Sequence, residues 1–355
     1  MSWLSDDDES DEEFGEWDES DARVRPNPKG NRPRTKTRPD HDDSIIGRVL
    51  SVDRGRYTVL ADEDGPEERV LTTTRARELR DQAIVTGDHV DLVGDTTGDE
   101  GSLARIVRIR PRTTLLRRSA DDTDEVERII VANADQLMIV VAAADPEPRP
   151  RLVDRYLVAA YDAGIAPLMV ITKTDLRNPD EFLANFAGLD IPVIRSAQGA
   201  QGIDGRALDE LAPALAGHTT VAVGHSGVGK STLVNALVPG TDRAVGIVNA
   251  VTGRGRHTSS STVSLRVPTG GWIIDTPGVR SFGLGHVNTD NILKSFSDLL
   301  AVSEDCPRGC THLPDAPDCA IIEGVAEGKL GPLGPLRLES FQRLITTLGS
   351  TTLST

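Results

Sequence analysis

The sequence predicts three folded parts in chain order: a small OB-like β-barrel, an α/β domain and a C-terminal helical module. Three observations lead to this prediction. Five short segments of alternating polarity fall within residues 44–113, and strand and helix patterns alternate around a glycine-rich loop within residues 114–284. All three cysteines of the 355-residue chain fall within residues 285–355.

Residues 1–43 are predicted to be disordered, because they carry fourteen acids and seven bases but few apolar residues. Two roles stay open for the basic arm Arg23–Arg38: contact with RNA phosphates, and a solvated tail masked by the acidic block. The whole chain has a net charge of −16, so binding to nucleic acid would need local basic patches. No apolar run approaches the ~20 residues of a membrane span, so a soluble cytoplasmic protein without membrane contact is expected.

The five alternating segments are separated by Gly- and Asp-rich turns, a pattern typical of a small barrel. An OB-fold that binds RNA is the natural candidate. The predicted strands are Ile45–Val52, Arg56–Ala61, Glu68–Thr72, His89–Val93 and Leu103–Ile109.

The last of these strands begins the best local basic patch of the chain. Its side chains either contact nucleic acid or form an ordinary solvated face, and the barrel context makes the first reading reasonable. The patch consists of Arg105, Arg108, Arg110, Arg112, Arg117 and Arg118.

A phosphate-loop pattern, G-x-x-x-x-G-K-[ST], follows the predicted strand Thr219–Val223 and precedes a predicted helix. Its glycines let backbone N–H groups turn toward phosphate oxygens, while Lys230 would reach the β- and γ-phosphates and Ser231 would hold Mg²⁺. A glycine-rich turn without a ligand is the alternative. The candidate residues are Gly224, His225, Ser226, Gly227, Val228, Gly229, Lys230, Ser231 and Thr232.

A second loop is typical of guanine recognition. The predicted strand Pro167–Thr172 leads into Thr172, Lys173, Thr174 and Asp175, which fit the pattern [NT]-K-x-D. The aspartate accepts from the guanine ring N–H and the exocyclic amine, a donor pair that adenine lacks, so a misfit base leaves buried polar groups unpaired. Ser196 and Ala197, one strand later, have the composition of the loop that backs the base.

The apolar strand Gly271–Ile274 ends in D-x-x-G, which would place Asp275 beside Mg²⁺ and the Gly278 N–H beside the γ-phosphate. Thr258 is the candidate for a second hydroxyl on the metal. The hydroxyls of Ser259, Ser260, Ser261 and Thr262 are competitors.

The order of these motifs is informative. GTPases ordinarily run from phosphate loop through switch threonine and D-x-x-G to base loop, whereas here the base loop comes first. The sequence therefore resembles a circularly permuted GTPase. The rival interpretation is a phosphate-loop ATPase or kinase.

The C-terminal module is predicted to bind one structural Zn²⁺ through Cys306, Cys310, His312 and Cys319, since these lie within fourteen residues. A disulfide with a spare thiol is the alternative. A closing amphipathic helix is predicted over Pro335–Leu348, with Leu336, Phe341, Leu344 and Ile345 facing inward.

Taken together, the segments GHSGVGKST, TKTD, SA, GRHT and DTPG and the cysteine cluster resemble the ribosome-small-subunit-dependent GTPase A family (RsgA, also called YjeQ) from about Ser44 onward. The resemblance implies a GTPase that hydrolyses GTP late in maturation of the small ribosomal subunit, when bound to that subunit and its rRNA. The protein is expected to be a monomer. One departure is Thr172, where many members have Asn, and it is expected to loosen guanine binding.

Catalysis is the less specified part of the sequence. Val279 follows Gly278 where Ras-like enzymes place a water-orienting Gln, so slow intrinsic turnover is expected. Lys230, Thr258 and His257 are the candidate catalytic residues, although a solvated switch histidine is an equal interpretation of His257. The alternative function is an RNA-binding assembly factor that uses GTP as a ligand switch without significant turnover.

Overall fold

The computed structural model describes residues 41–119, 127–199, 202–239, 262–276, 282 and 284–349. The predicted disordered segment is therefore described only from His41 onward. His257, Thr258 and Gly278 lie outside the described residues. No helix in the described ranges combines the length and apolar character needed to cross a membrane.

The N-terminal strands form a closed barrel in the order β1-β2-β3-β5-β4, in which β4 returns to pair with β1. The alternating pattern turns Val59, Leu92 and Ile106 into the barrel interior, where each is fully buried. The predicted OB-like barrel is confirmed. Its strands are β1 (Ile45–Asp53), β2 (Arg56–Ala61), β3 (Arg69–Arg75), β4 (His89–Gly94) and β5 (Ala104–Ile109).

A hairpin that the sequence analysis did not predict follows the barrel. Strands β6 (Leu115–Ser119) and β7 (Glu127–Ala132) pair in antiparallel fashion. Leu116 and Val131 are buried in the core of the α/β domain, and Val131 also bridges to Thr86 of the barrel. The hairpin therefore belongs to the junction between the barrel and the α/β domain.

The α/β domain contains a sheet in the order β10-β9-β8-β11-β13-β12, which is parallel except for β12. Its central strand β8 is buried at every position, as its continuous apolar sequence predicts. The strands are β8 (Gln136–Ala142), β9 (Ala166–Thr172), β10 (Val193–Arg195), β11 (Thr219–Gly224), β12 (Val263–Arg266) and β13 (Trp272–Asp275).

Helices cover both faces of this sheet and divide the core into two layers. Helices α3 and α4 bury Leu211 and Leu233 against one face, while α1 buries Leu157 against the other. All parallel strands end at the same edge, where loops can meet around a ligand. The helices are α1 (Pro150–Asp162), α2 (Asp180–Ala184), α3 (Gly205–Leu215) and α4 (Lys230–Leu237).

The C-terminal helices share the α1 layer of the core. The last helix buries Phe341, Leu344 and Ile345 as predicted, but Leu338 is buried where Leu336 was expected, and Leu336 is only half-buried. Leu338 lies three and seven residues before Phe341 and Ile345 and so shares their face of the helix, whereas Leu336 does not. Gly188 allows the helix to approach closely, because a Cβ atom there would lie 2.4 Å from the Leu336 carbonyl oxygen. These helices are α5 (Thr289–Leu293), α6 (Ser297–Ser303), α7 (Ala320–Ala326) and α8 (Gly334–Gly349).

The barrel and the α/β sheet are joined along β12, whose Val263 pairs with Ser51 of β1. The indole N–H of Trp272 donates to Glu63 at 2.7 Å, and the guanidinium groups of Arg48 and Arg266 each lie 5.2 Å from the indole ring centroid. Since Trp272 begins β13, the barrel holds the strand that leads to Asp275.

Candidate nucleotide, metal and RNA sites

The phosphate loop lies between the carboxyl end of β11 and the first turn of α4. Gly229 has a φ of +94°, a left-handed conformation that favours glycine, and helix α4 begins at the next residue, Lys230. Ser231 and Thr232 are exposed on the first turn of that helix. The N–H groups of this turn have no earlier helical carbonyl to bond, so the loop and helix end form an anion-binding arrangement.

The structure brings together two candidate residues that are far apart in sequence. The Lys230 ammonium donates to the Asp275 carboxylate, and both side chains are largely buried. Thr276, next to Asp275, donates its hydroxyl to the Ala222 carbonyl at 2.9 Å, which fixes the end of β13 against β11. The predicted phosphate-binding lysine and the predicted metal-binding aspartate therefore lie at one place.

The base loop is tied directly to the phosphate loop. The Thr172 hydroxyl, buried at the end of β9, donates to the Val228 carbonyl at 2.5 Å. Lys173, with a φ of +56°, donates through its ammonium to the Asp145 carbonyl. Thr172 therefore forms the side-chain bond between the two loops. This is the position where many family members have Asn, and where Thr was expected to loosen guanine binding.

Two further contacts join the end of the base loop to the loop after β10. Asp175 is exposed, and its Oδ1 accepts from the Gln198 N–H at 2.8 Å. The Thr174 N–H donates to the Ser196 carbonyl at 3.1 Å, and Ser196 itself is buried. The loop that carries Ser196 and Ala197 therefore lies beside Asp175, as the sequence predicts.

Asp204 is a residue in this region that the sequence analysis missed. Its Oδ2 accepts from the Ala197 N–H and its Oδ1 from the Ala207 N–H, both at 2.8 Å. These two bonds hold the pKa of the Asp204 carboxyl below its usual range, and the bond from the Ala207 N–H has the larger effect. An aspartate before a helical pattern is a recognisable N-cap signal, but its second bond, to Ala197, has no signature in the sequence.

The predicted zinc ligands converge. The ligand atoms of Cys306, Cys310, His312 and Cys319 all lie within 4.8 Å of one another. The Cys306 Sγ lies 4.0 Å from the Cys319 Sγ and 3.7 Å from the His312 Nδ1, and the Cys319 Sγ lies 3.6 Å from the same nitrogen. All three cysteines are free thiols, so the alternative of a disulfide with a spare thiol does not fit this geometry.

The surroundings of the cluster suit a cation. Burial lowers the pKa of His312, against the attraction of Asp290, and this favours the neutral imidazole that binds a metal. Burial also raises the pKa of the Cys319 thiol to about 11, so a thiolate there needs a positive partner. Gln342 of α8 donates to the His312 carbonyl at 2.9 Å and fixes the ligand loop to the last helix.

The six arginines predicted as one basic patch do not share one environment. Arg112 binds the fully buried carboxylate of Asp88 at 2.6 and 2.8 Å. Arg108 and Arg110 pair with the buried Asp91, although both remain partly exposed. The last two, Arg117 and Arg118, lie on β6, outside the barrel.

A different row of side chains crosses the outside of the barrel. The exposed Arg56 of β2 pairs in register with Thr74 of β3, which in turn pairs with the exposed Arg105 of β5. Cross-strand neighbours lie on one face of a sheet, so the two cations lie on the same outer face, one on each side of Thr74. Only Arg105 belongs to the predicted patch.

Arg112→Ala is expected to lower the free energy of unfolding by about 3–5 kcal/mol, because it leaves the Asp88 carboxylate buried without its counter-charge. The measurement is urea denaturation followed by circular dichroism. Arg105→Ala is the matched control, and since Arg105 is exposed its effect should stay within ~0.5 kcal/mol. Equal effects of the two substitutions would show that Arg112 is an ordinary surface residue.

The comparisons with known proteins agree with this geometry. The model of the RsgA GTPase family matches residues 109–285. The small ribosomal subunit biogenesis GTPase RsgA of Pseudomonas aeruginosa is 37% identical over 276 residues, covering 76% of this chain and 77% of the relative. A protein of the same name from Azotobacter vinelandii is 37% identical over 273 residues, covering 75% of each chain.

Two solved structures are similar over most of their length. YjeQ from Thermotoga maritima superposes with a TM-score of 0.61 at 26% identity, covering 86% of this chain and 98% of that one. YloQ, described as a circularly permuted GTPase, gives a TM-score of 0.61 at 25% identity, covering 88% and 97%. The permuted order of motifs is therefore shared with a solved structure.

Proposed function

The chain belongs to the RsgA GTPase family, and from that premise we propose which of its residues carry out the GTP hydrolysis and subunit binding of a small-ribosomal-subunit biogenesis GTPase. The observation that carries the proposal is the meeting of Lys230 and Asp275 beside the phosphate loop, with the base loop tied to that loop through Thr172. The chain is a GTPase that acts in small-subunit maturation. We place its action late in maturation, on the docked subunit.

In this proposal the residues from Gly224 to Thr232 hold the phosphates through backbone N–H groups, and Lys230 neutralises the β- and γ-phosphate oxygens. Ser231, Asp275 and Thr258 are proposed to hold Mg²⁺, and the first two fit because a hydroxyl and a carboxylate are the hard oxygen donors that this ion prefers. When bound, Mg²⁺ neutralises charge on the phosphates. The Gly278 N–H is assigned to the γ-phosphate.

The attacking water has no glutamine to orient it in the position after Gly278, where Val279 stands. His257 is the proposed cis group, since a neutral imidazole can accept a proton from water. Docking on the small subunit is proposed to supply the positioning of the attacking water that a glutamine gives in Ras-like enzymes. This assigns slow turnover to the free protein and fast turnover to the docked one.

The C-terminal module is proposed to hold one structural Zn²⁺. A tetrahedral site with Zn–S bonds of ~2.3 Å and a Zn–N bond of ~2.05 Å has S···S edges of about 3.8 Å and S···N edges of about 3.6 Å. The distances of 3.6–4.0 Å among Cys306, His312 and Cys319 fit those edges. Zn²⁺ would cross-link the loop between α6 and α7.

The proposed partners are the small ribosomal subunit and its rRNA, contacted through the exposed arginines of the barrel, with the protein acting as a cytoplasmic monomer.

We propose a division of the chain into a tail (1–43), an OB-fold (44–113), a permuted GTPase domain (114–284) and a zinc-binding domain (285–355).

The relatives are named as GTPases, which does not favour the alternative of an assembly factor without turnover. The two functions are separated by measuring phosphate release over multiple turnovers, with and without small subunits.

Asp175→Asn is expected to weaken GTP binding and to strengthen binding of xanthosine triphosphate. The new amide can keep its oxygen on the Gln198 N–H and turn its donor toward the base, where xanthine has an oxygen in place of the amine. Competition between the two nucleotides for the protein measures the change. The assignment of the base loop fails if the variant keeps the parent's preference for GTP.

Cys310→Ser is expected to lose zinc while nucleotide binding by the phosphate loop is retained. A serine hydroxyl is a much poorer zinc ligand than a thiolate, and the cluster lies in the C-terminal module rather than beside Lys230. Metal analysis should find about one zinc per chain in the parent protein and far less in the variant. A parent protein that purifies without zinc and with a Cys306–Cys319 disulfide would rule out this site.

A further inference from the structure

The loop between β10 and α3 is fixed from one side by a single carboxylate. Asp204 caps α3 by accepting from the Ala207 N–H, and at the same time it accepts from the Ala197 N–H. The backbone adds a reverse bond, in which the Asp204 N–H donates to the Ala197 carbonyl at 3.2 Å. Ala197 is therefore tied at both its polar groups to the start of a packed helix.

Ala197 is followed directly by the residue that contacts the proposed base-reading group. The Gln198 N–H donates to the Asp175 Oδ1, and this bond turns the carboxylate of an otherwise exposed side chain. Because the peptide between Ala197 and Gln198 is planar, fixing Ala197 also limits the direction of the Gln198 N–H. A continuous set of bonds thus runs from helix α3 through Asp204 and Gln198 to Asp175.

We propose that Asp204 is a positioning residue for base selection: it orients Asp175 through Ala197 and Gln198 and thereby sets the preference for guanine. The inference rests on the proposed role of Asp175. A carboxylate discriminates by accepting two hydrogen bonds at once from a flat base edge, and this needs a defined plane for its two oxygens. Asp204 helps to fix the plane of the Asp175 carboxylate without contacting the nucleotide.

Two substitutions separate this role from helix capping. Asp204→Ser keeps a short side-chain oxygen that can accept from the Ala207 N–H, but that oxygen cannot also reach the Ala197 N–H. Asn288→Ala is the matched control, because Asn288 caps α5 through a bond to the Asp290 N–H in the C-terminal module. The first variant removes only the side-chain bond from the Ala197 N–H and keeps both the cap and the backbone bond to the Ala197 carbonyl, and the second removes a cap elsewhere.

The test measures the affinities of GTP and inosine triphosphate, which lacks the exocyclic amine, for the full-length parent and both variants. The ratio of the two affinities should fall by about tenfold in Asp204→Ser, on the scale of one charge-assisted hydrogen bond, and should not change in Asn288→Ala. A loss of folded protein weakens both nucleotides equally, so it does not alter the ratio. The thermal midpoint should fall in Asn288→Ala and change little in Asp204→Ser.

An unchanged ratio in Asp204→Ser would overturn the inference. Asp175→Asn, measured in parallel with xanthosine triphosphate, separates a failure of the positioning role of Asp204 from a failure of the base-reading role of Asp175. If Asp175→Asn shifts the preference toward xanthosine triphosphate while Asp204→Ser keeps the parent ratio, only the positioning role is refuted. If Asp175→Asn leaves the preference between the two nucleotides unchanged, the base loop itself is misassigned, and the positioning role of Asp204 is refuted as well.

Discussion

Lys230→Ala is expected to reduce GTP hydrolysis by about 10³-fold or more, because it removes the positive charge assigned to the β- and γ-phosphates. Binding of Mg-GTP should weaken as well. The substitution also leaves the Asp275 carboxylate without the ammonium that it pairs with in this structure. Phosphate release under single-turnover conditions measures the loss in the chemical step.

The control for that experiment is Lys294→Ala, which removes the same charge at another place. Lys294 is exposed and lines the same surface cleft as Ala166 and Pro167, at the amino end of β9, whereas the base loop leaves the carboxyl end of β9 at Thr172. Lys294→Ala should hydrolyse GTP at the parent rate. If Lys230→Ala did so too, the phosphate loop would not be the site of hydrolysis.

Local motifs were the part of the molecule that the sequence could predict. The phosphate loop and its neighbouring strand and helix lie within about twenty consecutive residues, and their spacing follows from backbone geometry alone. The buried strands were equally clear, since β8 and β9 are nearly continuous apolar runs bounded by polar residues. Cysteine spacing similarly predicted a cluster whose members do converge.

Contacts between distant residues could not be predicted in the same way. Asp88 looks like an ordinary solvated acid in the sequence, yet it is fully buried under Arg112. Asp204 carries the signal of a helix cap, but nothing in the sequence indicates its second bond, from the Ala197 N–H. The β6–β7 hairpin was missed because neither strand shows an alternating pattern that marks its partner. The burial of Leu338 in place of Leu336 follows from helical spacing, since Leu338 shares a face with Phe341 and Ile345. The close approach of the Leu336 backbone to Gly188, about 150 residues earlier in the chain, has no signature in the sequence.

These distant contacts change which arginines should be tested for RNA binding. Reversing the charge of Arg112 would unfold the barrel rather than report on RNA, since its guanidinium neutralises a buried acid. Arg105 and Arg56 are exposed in one cross-strand row, so their substitution alters the surface alone. The Arg105→Glu, Arg56→Glu double variant is therefore the sharper probe.

Purified small subunits are expected to accelerate GTP hydrolysis by the parent protein by about 10³–10⁵-fold, the scale that a trans-acting group gives other GTPases. The reason is that Val279 stands where Ras-like enzymes have the glutamine that orients the attacking water, so docking must supply the group that positions this water. His257→Ala should still bind subunits but lose the stimulated turnover. A free protein that already hydrolyses GTP at the stimulated rate would show that groups of this chain position the water without the ribosome.

The Arg105→Glu, Arg56→Glu variant should lose most of that stimulation and keep the basal rate of the free protein. Its deficit in subunit affinity should be largest at low salt and should shrink as salt rises, because the parent makes more counterion-dependent phosphate contacts and therefore loses more affinity to salt than the variant does. Lys294→Glu, which reverses a charge outside the barrel, should be stimulated like the parent. Equal stimulation of all three proteins across the salt series would place the subunit contact on a surface other than this row.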